Sequence, residues 1–214
     1  MAFPLHQSTS VPPTLHDRAL QDLSFIRRTM EGVSSFTDVP GWGLVAIGTT
    51  AIVASLAARA QTSAGRWIGV WLVEALVAAL LGGGMTWQKM RRRVHDSDTP
   101  VLSVPARKFL FGFWPALLAG AVLTFALIDP RGLWLHHSTV PRALPGLWLL
   151  LYGVGVVTAG AFSVRAVPLM GVGFMGLGTL ALYMPSLPGN VMLALGFGVW
   201  HIVFGLWIAR RHGG

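Results

Sequence analysis

Six stretches of this chain are apolar over the length that crosses a bilayer, and this limits what the rest can fold into. A hydrocarbon core ~30 Å thick needs roughly 20 mostly apolar residues at 1.5 Å rise each. The stretches are 41–60, 67–86, 109–128, 147–164, 167–184 and 191–209. In hydrocarbon every backbone N–H and C=O must be paired internally, so runs this long are helices. A membrane β-barrel would show dyad alternation instead, and the runs do not alternate. Charged residues make up 11% of the chain, against about 25% in soluble domains. The expected fold is an all-α membrane protein, a bundle of six transmembrane helices preceded by an N-terminal amphipathic cytoplasmic or interfacial helix. Residues 1–40 form the arm and that helix, 41–210 the transmembrane domain and 211–214 a short tail. Only Ser163, Arg165 and Pro168 mark the break between spans four and five, which predicts a tight hairpin or a broken re-entrant pair.

Charge predicts orientation. With a cytoplasmic N-terminus, 12 of the 16 Lys and Arg lie on that side: Arg18, Arg27, Arg28, Lys89, Arg91, Arg92, Arg93, Arg107, Lys108, Arg165, Arg210 and Arg211. Arg59, Arg66, Arg131 and Arg142 lie outside. Cytoplasmic loops hold the excess of Lys and Arg, so both termini are expected in the cytoplasm. The net charge of +8 is then topological rather than a sign of nucleic-acid binding. Lys89, Arg91, Arg92 and Arg93 are expected against anionic lipid headgroups, at ~1 kcal/mol per charge.

Residues 1–40 lack the basic-then-apolar layout of a cleavable signal. The absence of Cys rules out disulfides, thiolate metal ligation and a Cys nucleophile. Residues 1–14 are Pro/Ser/Thr-rich and read as a flexible arm. Beyond them Ala19, Leu23, Ile26, Met30 and Val33 recur at steps of four and three, the pattern of an amphipathic helix over 15–34. Its default position is the cytoplasmic interface.

Small residues let membrane helices approach closely. A stripe of Gly112, Ala116, Gly120 and Thr124 in the third span is the expected helix-packing face, with Ala46, Thr50, Ala54 and Ala58 in the first. The fourth offers Gly155, Ala159 and Ser163, and the fifth Gly171, Gly173, Gly176 and Gly178. The string GVGFMG at 171–176 matches a dinucleotide fingerprint in letters only. That motif needs a preceding strand and a solvated helix N-terminus. Pro115 inside the third span predicts a kink. Pro40-Gly41-Trp42 and Pro145-Gly146 with Trp148 open the first and fourth spans alike, a faint sign of a three-plus-three repeat.

Within the hydrocarbon two side chains readily carry charge, Glu74 in the second span and His201 in the sixth. Such residues are costly there and usually face the bundle interior with a partner. They form the candidate intramembrane polar site. Glu74 lies ~11 Å and His201 ~15 Å along their helices from the outer ends, depths at which they would meet if helices two and six were neighbours. A proton- or cation-coupled site is one reading; structural hydrogen bonds, with His201 on a backbone carbonyl or a Thr, are the plainer one. One intramembrane His cannot supply bis-His haem ligation, so no cofactor is expected. His136 and His137 in an outer loop are an exposed pair more readily than a metal site. No Ser/His/Asp, HExxH or paired-carboxylate arrangement is visible, so no catalytic residue is expected.

The segment LSFIRRTMEGVSSFTDVPGWG at 23–43 resembles the juxtamembrane region of a group of uncharacterised bacterial multi-span membrane proteins. The resemblance covers the arm and the first helix turn. It implies a bacterial inner membrane and carries over no site residue. The function expected from all of this is a non-catalytic scaffold, sensor or accessory subunit, with partners in the lipid bilayer, a second copy or a membrane subunit. The alternative is a small proton- or cation-coupled transporter or channel using Glu74 and His201.

Overall fold

The structure is a computed structural model that describes residues 18, 20, 22–24, 26, 39–96, 102–128, 140–184 and 186–212. The chain divides into two units, Met1–Ser34 and Ser35–Gly214. In the first unit Arg18, Leu20, Asp22, Leu23, Ser24 and Ile26 are helical, with exposed side chains. Leu23 and Ile26 belong to the expected amphipathic face. The extent of that helix, with Ala19, Met30 and Val33, lies outside the described residues, as do the arm and the His136-His137 pair.

The second unit is built from α1 (Gly41–Arg59), α2 (Ala64–Asp96), α3 (Val104–Ile128), α4 (Val140–Gly160), α5 (Ala166–Tyr183) and a composite α6. Helix α6 begins as an α-turn at Gly189–Leu193, continues as a π-helix over Ala194–Trp200 and returns to α-helix at His201–His212. Among the described residues six helices are long and apolar enough to cross a membrane. Four of them exceed their apolar windows, most of all α2, which runs on to Asp96, and α4, which starts at Val140. Hydropathy marks the hydrocarbon layer, whereas backbone hydrogen bonding carries a helix into the headgroup region. Helix α3 is unbroken across Pro115.

Two glycine seams hold the centre. In α4 and α5, a Cβ on Gly171 would lie 2.7 Å from Val157 N and 2.8 Å from the Gly153 carbonyl. Seven residues along, one on Gly178 would lie 2.6 Å from Leu150 N and 2.8 Å from the Gly146 carbonyl. Only glycine permits that approach, and the gain is dispersion between backbones. The two helices form a tight hairpin, turned through hydrogen bonds from Phe162 N to the Ala159 carbonyl and from Ser163 N to that of Gly160. The second seam joins α1 to α6. Gly48 meets the Gly198 carbonyl and Ile202, and Gly205 meets the Gly41 carbonyl and Val45.

Helices α2 and α3 are outriggers. Helix α2 packs along α1, and α3 along α4. The α3 stripe provides that contact: Gly112 lies on Ala159, Ala116 on Gly155, and Thr124 bonds Trp148. Gly120 is the looser position, since an added Cβ would find only Leu151 Cδ1, at 3.9 Å. Of the 25 residues of α3, only Pro105, Ala106 and Thr124 are buried. Helix α2 buries Ile68, Trp71, Glu74 and Met90 among its described side chains. Gly41 and His212 lie at one end of the bundle, termed here the terminal end; Arg59 and Gly189 lie at the far end.

Candidate functional site

Standing apart along much of their length, α2 and α3 leave a cavity of about 720 Å³ between them. Met90 and Trp71 on α2 both line it, 19 residues or ~28 Å apart on a helix, so it runs most of a bilayer's depth. Its walls are apolar and aromatic: Ala75, Ala78 and Gly82 from α2, Phe109, Phe113 and Ala121 from α3, and Trp148 and Tyr152 from α4. Both residues of the expected polar site line this groove, Glu74 from α2 and His201 from α6.

Each nevertheless bonds its own partner rather than the other. The imidazole of His201, 1% exposed, follows directly on the π-helix. Its Nδ1 lies 3.0 Å from the Phe197 carbonyl and its Nε2 2.8 Å from the Tyr152 hydroxyl. A carbonyl only accepts, so Nδ1 donates to it and Nε2 accepts from Tyr152 in the neutral tautomer. Single-turn π segments interrupt α-helices often at functional sites. Here the π-helix sets the imidazole toward α4 among Phe174, Phe197 and Tyr152, with ring centroids 5.1–6.1 Å from its own.

Glu74 turns toward α1. Thr50 Oγ1 lies 2.8 Å from Glu74 Oε1 and 2.9 Å from the Ile47 carbonyl. A hydroxyl has a single hydrogen. Thr50 donates that hydrogen to the Glu74 carboxyl and, in a shared bond, to the Ile47 carbonyl of its own helix.

A third polar centre closes the far end. The Asn190 Oδ1 accepts from the indole N–H of Trp67 at 3.3 Å and of Trp71 at 3.2 Å, while its Nδ2 donates to the Ser55 carbonyl and hydroxyl. One amide thus links α1, α2 and α6. The Trp67 ring stacks on Trp148, centroids 6.1 Å apart, and Trp148 donates to Thr124 on α3 at 2.7 Å. Sequence reasoning centred on charge passed over Asn190, Tyr152 and Ser55. The signal was there, because Asn190 is the only Asn in the chain and membrane helices use amides as cross-links.

The headgroup candidates Lys89, Arg91 and Arg92 sit on α2 at the terminal end, where Arg91 and Arg92 are exposed; the side chain of Arg93 lies outside the described ones. Among the described residues no cluster of three metal-ligating side chains occurs. Comparison of the chain with protein-family models, with characterised proteins and with solved structures gives no match.

Proposed function

We propose that this chain is a non-catalytic integral membrane protein, a scaffold, sensor or accessory subunit of a membrane complex, and that the groove between α2 and α3 is its working surface. The observation carrying this reading is the groove itself, a lateral and mostly apolar recess between two helices each supported along one side. The polar side chains at its floor bond one another or the backbone, which suits a rigid receiving surface better than a path for hydrated ions. A second reading, proton- or cation-coupled transport, is favoured by Glu74 and His201 lining that same groove.

Charge supports a cytoplasmic terminal end. Lys89, Arg91, Arg92, Arg107, Lys108, Arg165, Arg210 and Arg211 gather there, against Arg59, Arg66 and Arg142 at the far end. The resemblance of residues 23–43 supports a bacterial inner membrane. The partners proposed are anionic headgroups on the cytoplasmic side and a membrane subunit or second copy.

Liposomes carrying the full chain test the choice. The scaffold reading expects no proton or monovalent-cation flux above that of empty liposomes. A flux lost in both Glu74→Gln and His201→Gln, with the protein still folded, would replace it with transport.

A further inference from the structure

The groove is bordered by one buried polar atom that the described residues leave unpaired. Glu74, 7% exposed, stands at the edge of the groove where α2 meets α1. Its Oε1 takes the Thr50 hydroxyl, and among the described residues its Oε2 has no hydrogen-bond partner. A buried carboxyl oxygen without a partner bears its full desolvation cost, so an occupant that brings a donor to Oε2 gains what an apolar occupant forfeits. His201, the other ionisable group on the groove, has both ring nitrogens bonded, to Phe197 and Tyr152. Among the described residues no Lys or Arg lines the groove. The charge it presents to an occupant is therefore the negative charge of Glu74.

The walls beside that carboxyl also suit a cation. Trp71 precedes Glu74 by one turn of α2, and Tyr152 and Phe197 line the same groove. Trp148 stacks on Trp67, and Tyr152 follows Trp148 by four residues as Trp71 follows Trp67. Helices α2 and α4 both run from the far end to the terminal end, so Tyr152 and Trp71 share a depth, ~4.5 Å from that of Glu74. Aromatic faces attract cations through the ring quadrupole, most strongly where water is excluded.

We infer that the groove binds an organic ammonium ion, a protonated amine on an apolar body, with its N–H on Glu74 Oε2 and its body along the groove between α2 and α3. An acyl chain or an apolar helix in that place would bury Oε2 unpaired. Glu74 also borders a shallow recess on the other side of α2, but Val53, Val70, Val73 and Val77 give that recess an aliphatic wall, and no aromatic ring lines it among the described residues. The inference deepens the reading of the groove as the working surface and rests on it. It holds for a sensor and for a transporter alike.

Equilibrium dialysis of the detergent-purified full chain, with empty micelles as the blank, tests the site. The probes are dibenzylammonium and dibenzyl ether, which share a shape and differ by a charged NH2 group in place of an oxygen. The wild type should bind one dibenzylammonium in preference to the ether. Glu74→Gln should weaken ammonium binding by roughly tenfold or more, the scale of a lost charge-assisted hydrogen bond, and leave ether binding where it was. Ala75→Trp should abolish binding of both probes, since Ala75 is an exposed residue lining the groove. Val73→Trp should leave ammonium binding intact, since Val73 lines only the recess on the other side. If Ala75→Trp misfolds, Glu74→Gln still decides, because glutamine keeps the size of the side chain. Equal binding of the two probes by the wild type would overturn the site, as would ammonium binding undiminished in Glu74→Gln. So would loss in Val73→Trp with retention in Ala75→Trp, or a co-purified lipid or polypeptide that the ammonium does not displace. Flux in liposomes decides between scaffold and transport by itself, so failure of the ammonium site and failure of the scaffold reading are told apart.

Discussion

Tyr152 and His201 form a polar contact enclosed by Phe174 and Phe197. Removing the hydroxyl leaves Nε2 without a donor in an aromatic surrounding. Intramembrane hydrogen bonds average ~0.6 and reach ~1.7 kcal/mol in double-mutant cycles, and a stranded acceptor sits at the upper part of that range. Tyr152→Phe should therefore lower unfolding free energy in mixed micelles by about 1–2 kcal/mol. A cycle with His201→Leu should show coupling of the same size, and additive effects would mean that the bond contributes nothing. Glu74 behaves differently because the oxygen of a glutamine amide can accept from Thr50 as the carboxyl oxygen does. Glu74→Gln should stay within about 1 kcal/mol of wild type, the scale of one net hydrogen bond.

At the level of helices, glycines in the same span have opposite tolerances. An added methyl at Gly171 must push α4 away, since it would meet Val157 and the Gly153 carbonyl at 2.7–2.8 Å. Gly176, five residues along the same helix, has nothing within 4 Å of an added Cβ. Gly171→Ala should cost ~1–3 kcal/mol by overpacking, while Gly176→Ala should be neutral or stabilising by up to ~1 kcal/mol through helix propensity. Thermal unfolding in detergent measures both. The α3 stripe divides in the same manner: Gly112→Ala should destabilise more than Gly120→Ala, because only Gly112 lies against the α4 backbone. Equal losses at both would place α3 tighter against α4 than it lies here.

For the molecule as a whole the prediction is topological. The chain has no cysteine, so single cysteines report cleanly. Cysteines replacing Lys108 and Arg210 should be shielded from an impermeant thiol reagent in intact cells, whereas those replacing Thr62 and Arg142 should react. The reverse pattern would invert the bundle and put Lys89, Arg91 and Arg92 at the outer surface. The glycine seams also bear on the faint repeat. Gly41 and Gly48 of α1 face α6, whereas the matching Gly146 and Gly153 of α4 face α5. In a three-plus-three duplication the counterpart of α4 with α5 would be α1 with α2, so the echo at Pro40-Gly41 and Pro145-Gly146 does not extend to the glycine seams.

Helix number, apolar extent and the burial of Glu74 and His201 follow from the sequence, because the cost of an unpaired backbone group or a lone charge in hydrocarbon depends on composition and length alone. The small-residue stripe of α3 was legible for the same reason, since close packing demands small side chains whatever the partner. Partner identity was not legible. Gly112, Ala116 and Thr124 advertise a contact face, but only the fold sets that face on α4. Glu74 and His201 share a face type and a depth, yet they bond Thr50 and Tyr152 because α2 lies along α1 while the π-helix turns His201 toward α4. Helix pairing in lipid is decided by the summed fit of many backbone approaches, and no single stretch of chain encodes that sum. The groove arises the same way, because it is the space left where α2 and α3 pack on different neighbours.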